Sequence, residues 1–363
     1  MDCDGQKPIC GNCQRIRSSY GFSKHGQSTS SETSLLSQQV AIRSTASRRP
    51  PIGLNLQALG LMHHYATVVC LTLSKRSIIA QIWQDTVPKE ALAHPFLMHG
   101  LLAISALHLA HSEPDGQKIL GDIAMKNQDT LLFHFRLLLN NITPQNCNAL
   151  FTASHLVTIF AFAFPQCPGY SGEPSPPVDE ILKVSELARG SHTLAKTAGE
   201  WIARGKLEPL LRLGIMRVSI TLPQDTTSIL EGLEVTNQAS IDDEATTAIY
   251  TSTIQLLTKA FEATTIFPDD PAFTLLWLAM LDPRYVCFLK ERKRMALVIL
   301  AYYGVILHGS RRHWWSKTWG YQVVEAVYHH LDSDARSDMF WAMHKVGMSD
   351  NVALSSGNSE LSC

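Results

Sequence analysis

The chain has 363 residues, of which 45% are hydrophobic and 17% are charged, and its formal net charge is −1. This apolar content supplies a large core and argues against wholesale disorder, while the near-neutral charge argues against a nucleic-acid-binding surface over the whole molecule. The charge is uneven, since residues 1–50 carry seven Lys or Arg against three Asp or Glu. A basic N-terminal arm on a mildly acidic body is compatible with DNA contact at that end.

Cysteine placement and hydropathy indicate where the chain resides. Cys3, Cys10 and Cys13 crowd into the N-terminus, and the other five cysteines are scattered through mostly apolar stretches, which favours free thiols over a disulfide framework. No apolar signal segment opens the chain. The longest uncharged apolar run, Ala296–Leu307, is about a dozen residues and too short to cross a bilayer. We therefore expect a soluble, intracellular protein with no membrane span, in which this run is a buried helix.

Composition divides the chain into four predicted segments. Residues 1–22 hold the cysteine cluster, and the Ser/Thr-rich stretch 23–53 cannot bury a core and predicts a flexible linker. Helical spacing of apolar residues begins at Leu56–Leu73. We predict a helical body over 54–348 and a disordered tail at 349–363.

The body shows helical patterns and no sustained period-two alternation, which predicts an all-α fold with many helices. A short helix is predicted at Val87–Leu92, with Pro88 in its first turn. Pro95–His111 is apolar on nearly every face, as is typical of a helix in the middle of a domain. Prolines mark 164–177 as a loop. Further helices are predicted at 117–140, 145–163, 178–203, 240–265, 271–281, 284–308, 316–331 and 334–345.

The N-terminal cysteines have a spacing that suits zinc. Cys10 and Cys13 are separated by two residues, which places two thiolates on one turn, as tetrahedral zinc accepts. Cys3 lies seven residues upstream and can fold back through a turn at Gly5 and Pro8. The candidate metal residues are therefore Cys3, Cys10 and Cys13, and the candidate cofactor is zinc.

The string from Cys3 to Arg17 resembles the second part of the fungal six-cysteine binuclear zinc cluster. By position, Cys3 matches the third cysteine of that family, Cys10 the fourth and Cys13 the fifth. Such modules place a helix in the major groove of DNA, and dimer spacing sets the half-site separation. The resemblance implies a nuclear transcription regulator that binds DNA, with a homodimer as its candidate assembly.

The string also departs from the family pattern. The first two cysteines, and the basic helix that supplies base contacts, would precede Met1, and positions 20–23, where the sixth cysteine is expected, hold Tyr, Gly, Phe and Ser. Three thiolates cannot fill two zinc sites, and a single zinc would need a fourth ligand such as His25. Two interpretations stay open: a segment that binds no metal, and a cluster completed by a longer gene product.

The helical body is similar to the fungal-specific regulatory domain, and most similar to the subgroup of sterol uptake control proteins. The similarity rests on strings such as Leu61–Tyr65, Cys70–Ser74 and His94–Ala110, followed by a tryptophan-rich tail. In sterol-responsive members this domain binds a sterol in an apolar pocket. Helices 145–163 and 284–308 can line such a cavity, although the same residues also suit plain core packing. Candidate wall residues are Met98, Trp314, Trp315 and Trp319, and no ligand contact is assigned.

Two patterns invite other functions. His108 and His111, at i and i+3, could chelate a metal, but no carboxylate stands at ligand spacing, so we favour polar helix positions. Asp242, Asp243 and Glu244 could bind magnesium in an all-α prenyl diphosphate enzyme, but acidic residues at a helix start are also favoured by capping and by the helix dipole. We therefore predict no enzyme.

The sequence predicts a zinc-cluster transcription regulator that controls sterol-related or secondary-metabolite genes. The alternative is a helical module, derived from such a regulator, that binds a ligand or a partner but not DNA.

Overall fold

The computed structural model describes residues 55–113, 116–167, 175–213, 220–239, 243–268 and 270–348. These residues belong to a unit that runs from Leu54 to Cys363. Every regular element among them is helical, which confirms the predicted all-α fold. Cys3, Cys10 and Cys13, the predicted linker and the predicted tail lie outside the described residues, and the predicted segment boundaries stay predictions.

The first part of the body is built around one buried helix, α4. It packs against α1, α5 and α6 and is buried along almost its whole length, as its apolar composition predicts. Short turns of 3-10 helix follow α1 and α6, at Val69–Thr72 and Phe164–Gln166. The helices are α1 Leu56–Thr67, α2 Ser77–Gln81, α3 Val87–Ala93, α4 Pro95–Ser112, α5 Gln117–Leu139 and α6 Cys147–Ala163.

Several helices in the second part begin at proline. The first N–H groups of a helix have no acceptor within the helix, so proline, which lacks an N–H, costs no hydrogen bond at this position. Asp270 and Asp282 cap two of them, since their carboxylates accept hydrogen bonds from the backbone N–H of Ala272 (3.1 Å) and Arg284 (2.7 Å). The helices are α7 Pro177–Ile202, α8 Glu208–Leu213, α9 Gln224–Gln238, α10 Glu244–Ile266, α11 Pro271–Met280, α12 Pro283–Lys290, α13 Arg294–Gly309, α14 Trp319–His330, α15 Ser333–Arg336 and α16 Phe340–Lys345.

The single helix predicted over 284–308 is wrong, because the chain breaks between α12 and α13. Arg292 adopts a left-handed conformation with φ of 56°, which few non-glycine residues do. Its guanidinium donates to the carbonyl oxygen of Leu289 at 2.8 Å and pairs with Asp179 on α7. These contacts stabilise the break between α12 and α13. The sequence did not indicate the break, because the residues around Arg292 are good helix formers.

Other differences concern short elements. The predicted helix 334–345 is interrupted by a 3-10 turn at Ser337–Met339, and α2, α8 and α9 were not predicted. Two of these, α2 and α8, have only five and six residues. Elements this short show too little periodicity to be recognised from sequence.

Another apolar stretch, Cys147–Gln166, is longer than the run at Ala296–Leu307. That run is a buried helix, as predicted, but Cys147–Gln166 also lacks Asp, Glu, Lys and Arg, and it is long and apolar enough to cross a membrane. In the structure 78% of its most apolar window is buried inside the protein, as in a core helix. The prediction of no membrane span stays a prediction.

Candidate functional site

An apolar cavity of about 130 Å³ lies where α6, α7 and α11 meet, with α2 and α8 at its sides. Most of its wall consists of aliphatic and aromatic side chains, as in sites that bind apolar small molecules. The residues that line it are Leu73, Ile79, Trp83, Phe151, His155, Thr158, Ile159, Ala188, Ser191, His192, Ala195, Leu210, Leu211, Ala272, Leu275, Leu276 and Ala279.

One wall depends on a π-helical turn at Ile82–Thr86, which carries Trp83. Turns of this kind are rare in proteins, and those that occur are often found at functional sites. The hydroxyl of the buried Tyr65 donates to the carbonyl oxygen of Trp83 at 3.0 Å. This bond ties the irregular backbone to α1 and holds the indole at the cavity.

A buried polar contact joins two opposite walls. Ser74, which follows the lining residue Leu73, donates to a carboxylate oxygen of Asp270 at 3.2 Å. Asp270 caps α11, which carries the lining residues from Ala272 onward. Burial raises the pKa of Asp270. The Ser74–Asp270 bond therefore fixes the loop before α2 relative to the start of α11.

Two histidines place nitrogen atoms at the apolar wall. Nδ1 of His155 donates to the carbonyl oxygen of Phe151 at 2.8 Å, which leaves Nε2 as an acceptor in the neutral ring. Burial lowers the pKa of His155. Burial, together with nearby Lys196, also lowers the pKa of His192. Both rings are thus held towards the neutral form, which can accept a hydrogen bond from a ligand.

Two hydroxyl groups at the same wall are already used as donors. Thr158 donates to the carbonyl oxygen of Ser154 at 2.9 Å, and Ser191 donates to that of Leu187 at 3.5 Å. Their oxygens keep lone pairs that can accept. The cavity therefore offers acceptors inside an apolar wall, which suits a ligand with an apolar body and one hydroxyl donor.

The size of the cavity limits what it holds in this conformation. An apolar cavity of about 150 Å³ admits a molecule such as benzene, and pockets for larger ligands begin at about 300 Å³. A ligand with several fused rings therefore requires the walls to separate. Helices α2 and α8, which contribute Ile79, Leu210 and Leu211, have only five and six residues, so they are the short lining elements whose movement would widen the cavity.

Met98 and the three candidate tryptophans are not among the residues that line this cavity. Nε1 of Trp319 donates to the carbonyl oxygen of Phe162 at 2.8 Å, and Nε1 of Trp314 donates to the hydroxyl of Thr72 at 3.2 Å. The tryptophan rings pack the core instead, which was the plainer interpretation. Of the two candidate helical regions, 145–163 contributes Phe151, His155, Thr158 and Ile159, whereas 284–308 contributes no lining residue.

The predicted histidine pair forms part of a buried aromatic cluster. Nδ1 of His108 lies 3.1 Å from Nε2 of His64, and Nε2 of His111 donates to the carbonyl oxygen of Ala163 at 3.1 Å. Both His108 and His111 pack edge-on against Trp314. Within the described ranges no group of three or more His, Cys, Asp or Glu is placed to hold a metal ion.

The acidic string before α10 serves as a helix cap as far as the structure describes it. The carboxylate of Asp243 accepts from the backbone N–H of Thr246 at 3.0 Å and from its hydroxyl at 2.8 Å. These bonds lower the pKa of Asp243. Asp242 lies outside the described residues. The capping interpretation thus accounts for Asp243 without a metal.

Comparison with known proteins finds a family match over part of the body. Residues 60–167 match the fungal specific transcription factor domain. This segment includes α6 and the π-helical turn, and therefore supplies Trp83, Phe151 and His155 to the cavity. The walls on α7, α8 and α11 lie beyond the matched segment.

Similar proteins are fungal transcription factors. A Zn(2)-C6 fungal-type transcription factor of Gibberella zeae is 26% identical over 279 residues, which cover 72% of this chain and 56% of that protein. Sterol uptake control protein 2 of Candida albicans is 39% identical over 107 residues, or 29% of this chain and 14% of its own length. The Zn(2)-C6 fungal-type transcription factor afumD of Aspergillus fumigatus is 28% identical over 172 residues, 45% of this chain and 43% of that protein.

The chain thus spans little more than half of the first of these relatives and less of the others. The matched domain and these relatives are those of transcription factors and not of enzymes, which agrees with the prediction of a non-enzymatic regulator.

Proposed function

Because the chain is related to the fungal Zn(2)-C6 transcription factors and carries their fungal specific domain, we propose that it is a nuclear transcription regulator controlled by an apolar ligand. The ligand occupies the cavity between α6, α7 and α11 and is a molecule with an apolar body and one hydroxyl, such as a sterol. The likeness to a sterol uptake control protein supports sterol-related genes as its targets, and secondary-metabolite genes remain the other candidate targets.

The observation that carries this proposal is the position of His155 in a mostly apolar wall. Its Nδ1 is occupied by Phe151, so Nε2 is the atom that can accept a hydrogen bond from a ligand hydroxyl. A sterol alcohol supplies that donor, whereas the corresponding ketone or methyl ether does not. An unmatched buried polar group costs about 1–3 kcal/mol, so the alcohol is the preferred ligand.

Binding of a fluorescent sterol to the purified chain tests the proposal, with the alcohol, the 3-ketone and the 3-methyl ether as competitors. We expect the alcohol to compete at least tenfold better than the other two in the native chain, and this preference to disappear in His155→Phe. Ala188→Leu fills the cavity and should abolish binding, whereas Ala93→Leu adds the same side chain at an exposed site and should not. Equal binding by Ala188→Leu and the native chain would exclude this cavity as the site.

We further propose that Cys3, Cys10 and Cys13 are zinc ligands in a complete cluster, through which the regulator contacts DNA. The absence of cysteine at positions 20–23 supports a second candidate function, a helical module that binds ligands or partners but not DNA. Metal analysis of the zinc-loaded chain and mobility shift on fungal promoter DNA distinguish the two. If the native chain binds zinc and shifts DNA, and Cys10→Ser does neither, the DNA-binding regulator is favoured. If the native chain neither binds zinc nor shifts DNA, the helical module that does not bind DNA is favoured.

A further inference from the structure

A groove between α9 and α10 lies apart from the apolar cavity and shares no lining residue with it. It has a volume of about 440 Å³. Its floor contains Leu222, Leu230 and Ile254, which are among the buried residues of the core. Glu231, Glu234 and Glu262 also line the groove. The groove therefore combines an apolar floor with three carboxylates.

The three carboxylates form no salt bridge with any residue that the structure describes. In the described part of the chain, none of the three has a Lys, Arg or His nitrogen within 4.0 Å. Lys259 is the only Lys or Arg in the sequence of α9 and α10. Glu234 is held in place, since it accepts from the hydroxyl of Thr251 at 2.6 Å and from the amide of Gln238 at 3.0 Å. Among the described residues the carboxylates at the groove thus form no ion pair, and one of them is held in place.

We propose that this groove is the docking site of a cationic amphipathic helix from a partner protein. Apolar side chains at i, i+3, i+4 and i+7 of such a helix fill the floor, and flanking Lys or Arg side chains pair with the glutamates. Charge complementarity selects this partner, because like charges across an interface are costly and opposite charges speed association. The same carboxylates repel the phosphates of nucleic acid.

The lengths of the elements agree with this partner. The residues of α9 that line the groove run from Thr227 to Glu234, which corresponds to about 10 Å at 1.5 Å per residue. Anchors at i and i+7 of a partner helix are separated by the same distance. Because the groove does not use the cavity between α6, α7 and α11, this proposal stands independently of the ligand.

The test uses the full chain and a labelled 16-residue peptide with Leu at i, i+3, i+4 and i+7 and Lys on the flanking positions. Fluorescence anisotropy is measured in low and moderate salt. We expect saturable binding that weakens as salt rises, and at least a tenfold loss of affinity in the double variant Glu231→Lys/Glu262→Lys. Glu200→Lys, at an exposed position on α7, is the matched control and should change affinity less than twofold, and circular dichroism checks that both variants are folded.

Two further arms separate specific docking from other outcomes. A peptide of the same composition with its Leu positions scrambled should bind at least tenfold more weakly, and equal binding would overturn the proposal. Sedimentation of the chain alone over a range of concentrations tests a second copy as the occupant. If the chain self-associates and Glu231→Lys/Glu262→Lys abolishes this, the occupant is a second copy of the chain and the proposal is overturned. The absence of peptide binding at both salt concentrations would also overturn it.

Discussion

At the residue scale, Asp270 performs two tasks that usually fall to different residues. It is only 3% exposed, and its carboxylate both caps α11 and accepts from Ser74. Folding exchanges hydrogen bonds to water for hydrogen bonds within the protein, so each of the two bonds contributes about 0.5–1.5 kcal/mol net. The loop before α2 and the start of α11 are therefore coupled through one side chain.

Asp270→Ala is expected to destabilise the chain more than the loss of an ordinary cap. A cap contributes about 0.5–2 kcal/mol, and the orphaned Ser74 hydroxyl adds about 1–3 kcal/mol. Asp282→Ala removes the equivalent cap of α12 at a half-buried site, and should cost only the first amount. Urea unfolding monitored by circular dichroism gives both values, and equal costs for the two variants would contradict the coupling.

His108 gives the body a pH dependence whose sign follows from its surroundings. Burial, followed by the nearby His64, His111 and Lys317, lowers the pKa of His108 from 6.5 to about 4. Between these two values the unfolded chain binds more protons than the folded chain, so stability falls as pH is lowered through that window. Burial also lowers the pKa of His64, against the opposing effect of Glu113, which adds to the same trend.

His108→Phe tests this dependence, because the ring that packs on Trp314 is kept and the titrating group is removed. We expect the loss of unfolding free energy between pH 7 and pH 5 to be smaller in His108→Phe than in the native chain. Urea titrations at the two pH values measure the difference. An unchanged loss would show that the cluster of His64, His108 and Trp314 does not govern acid sensitivity.

At the scale of elements, α13 and α14 pack closely through two glycines. A Cβ atom added at Gly320 would lie 2.3 Å from the backbone nitrogen of His308, and one at Gly304 would lie 2.7 Å from a methyl group of Val324. Neither distance is possible without movement of one helix. These two glycines therefore let the helices pack backbone against backbone, with Trp319 anchored to Phe162 at one end.

Gly320→Ala is expected to cost at least about 1–3 kcal/mol, the usual range for overpacking in a core. Gly232→Ala is the matched control, since a Cβ there meets nothing within 4 Å and Ala is favoured over Gly inside a helix by about 0.8–1 kcal/mol. Thermal unfolding should therefore shift in opposite directions for the two variants. A stabilising effect of Gly320→Ala would contradict the close packing of α13 and α14.

At the scale of the whole molecule, the cavity joins two parts of the described body. Trp83, Phe151 and His155 come from the segment that matches the fungal specific domain, whereas α7 and α11 follow it in the chain. A ligand that contacts both parts adds its binding energy to the contacts between them. Ligand binding is thus expected to stabilise the body as one cooperative structure.

A saturating sterol alcohol should raise the stability by about 2.7 kcal/mol at one hundred times its dissociation constant. For a body of this size the increase corresponds to a rise in melting temperature of about 4 °C. Hydrogen exchange should slow in both α6 and α11, because the ligand contacts both walls. Protection of one wall alone would show that the ligand binds elsewhere.

The sequence by itself determined the fold class, the long apolar helices and the similarity to fungal transcription factors, because periodicity and short sequence strings are local properties. Helix α4 and the stretch that forms α6 are examples, since their apolar composition indicates burial without reference to any partner. The break at Arg292 and the role of Asp270 were decided only by tertiary structure, because they depend on Asp179 and Ser74, which are distant in the chain. The cavity, too, was decided only by the tertiary structure. Its walls come from α2, α6, α7, α8 and α11, and no sequence pattern marks His155 as one of the polar groups that these elements bring together.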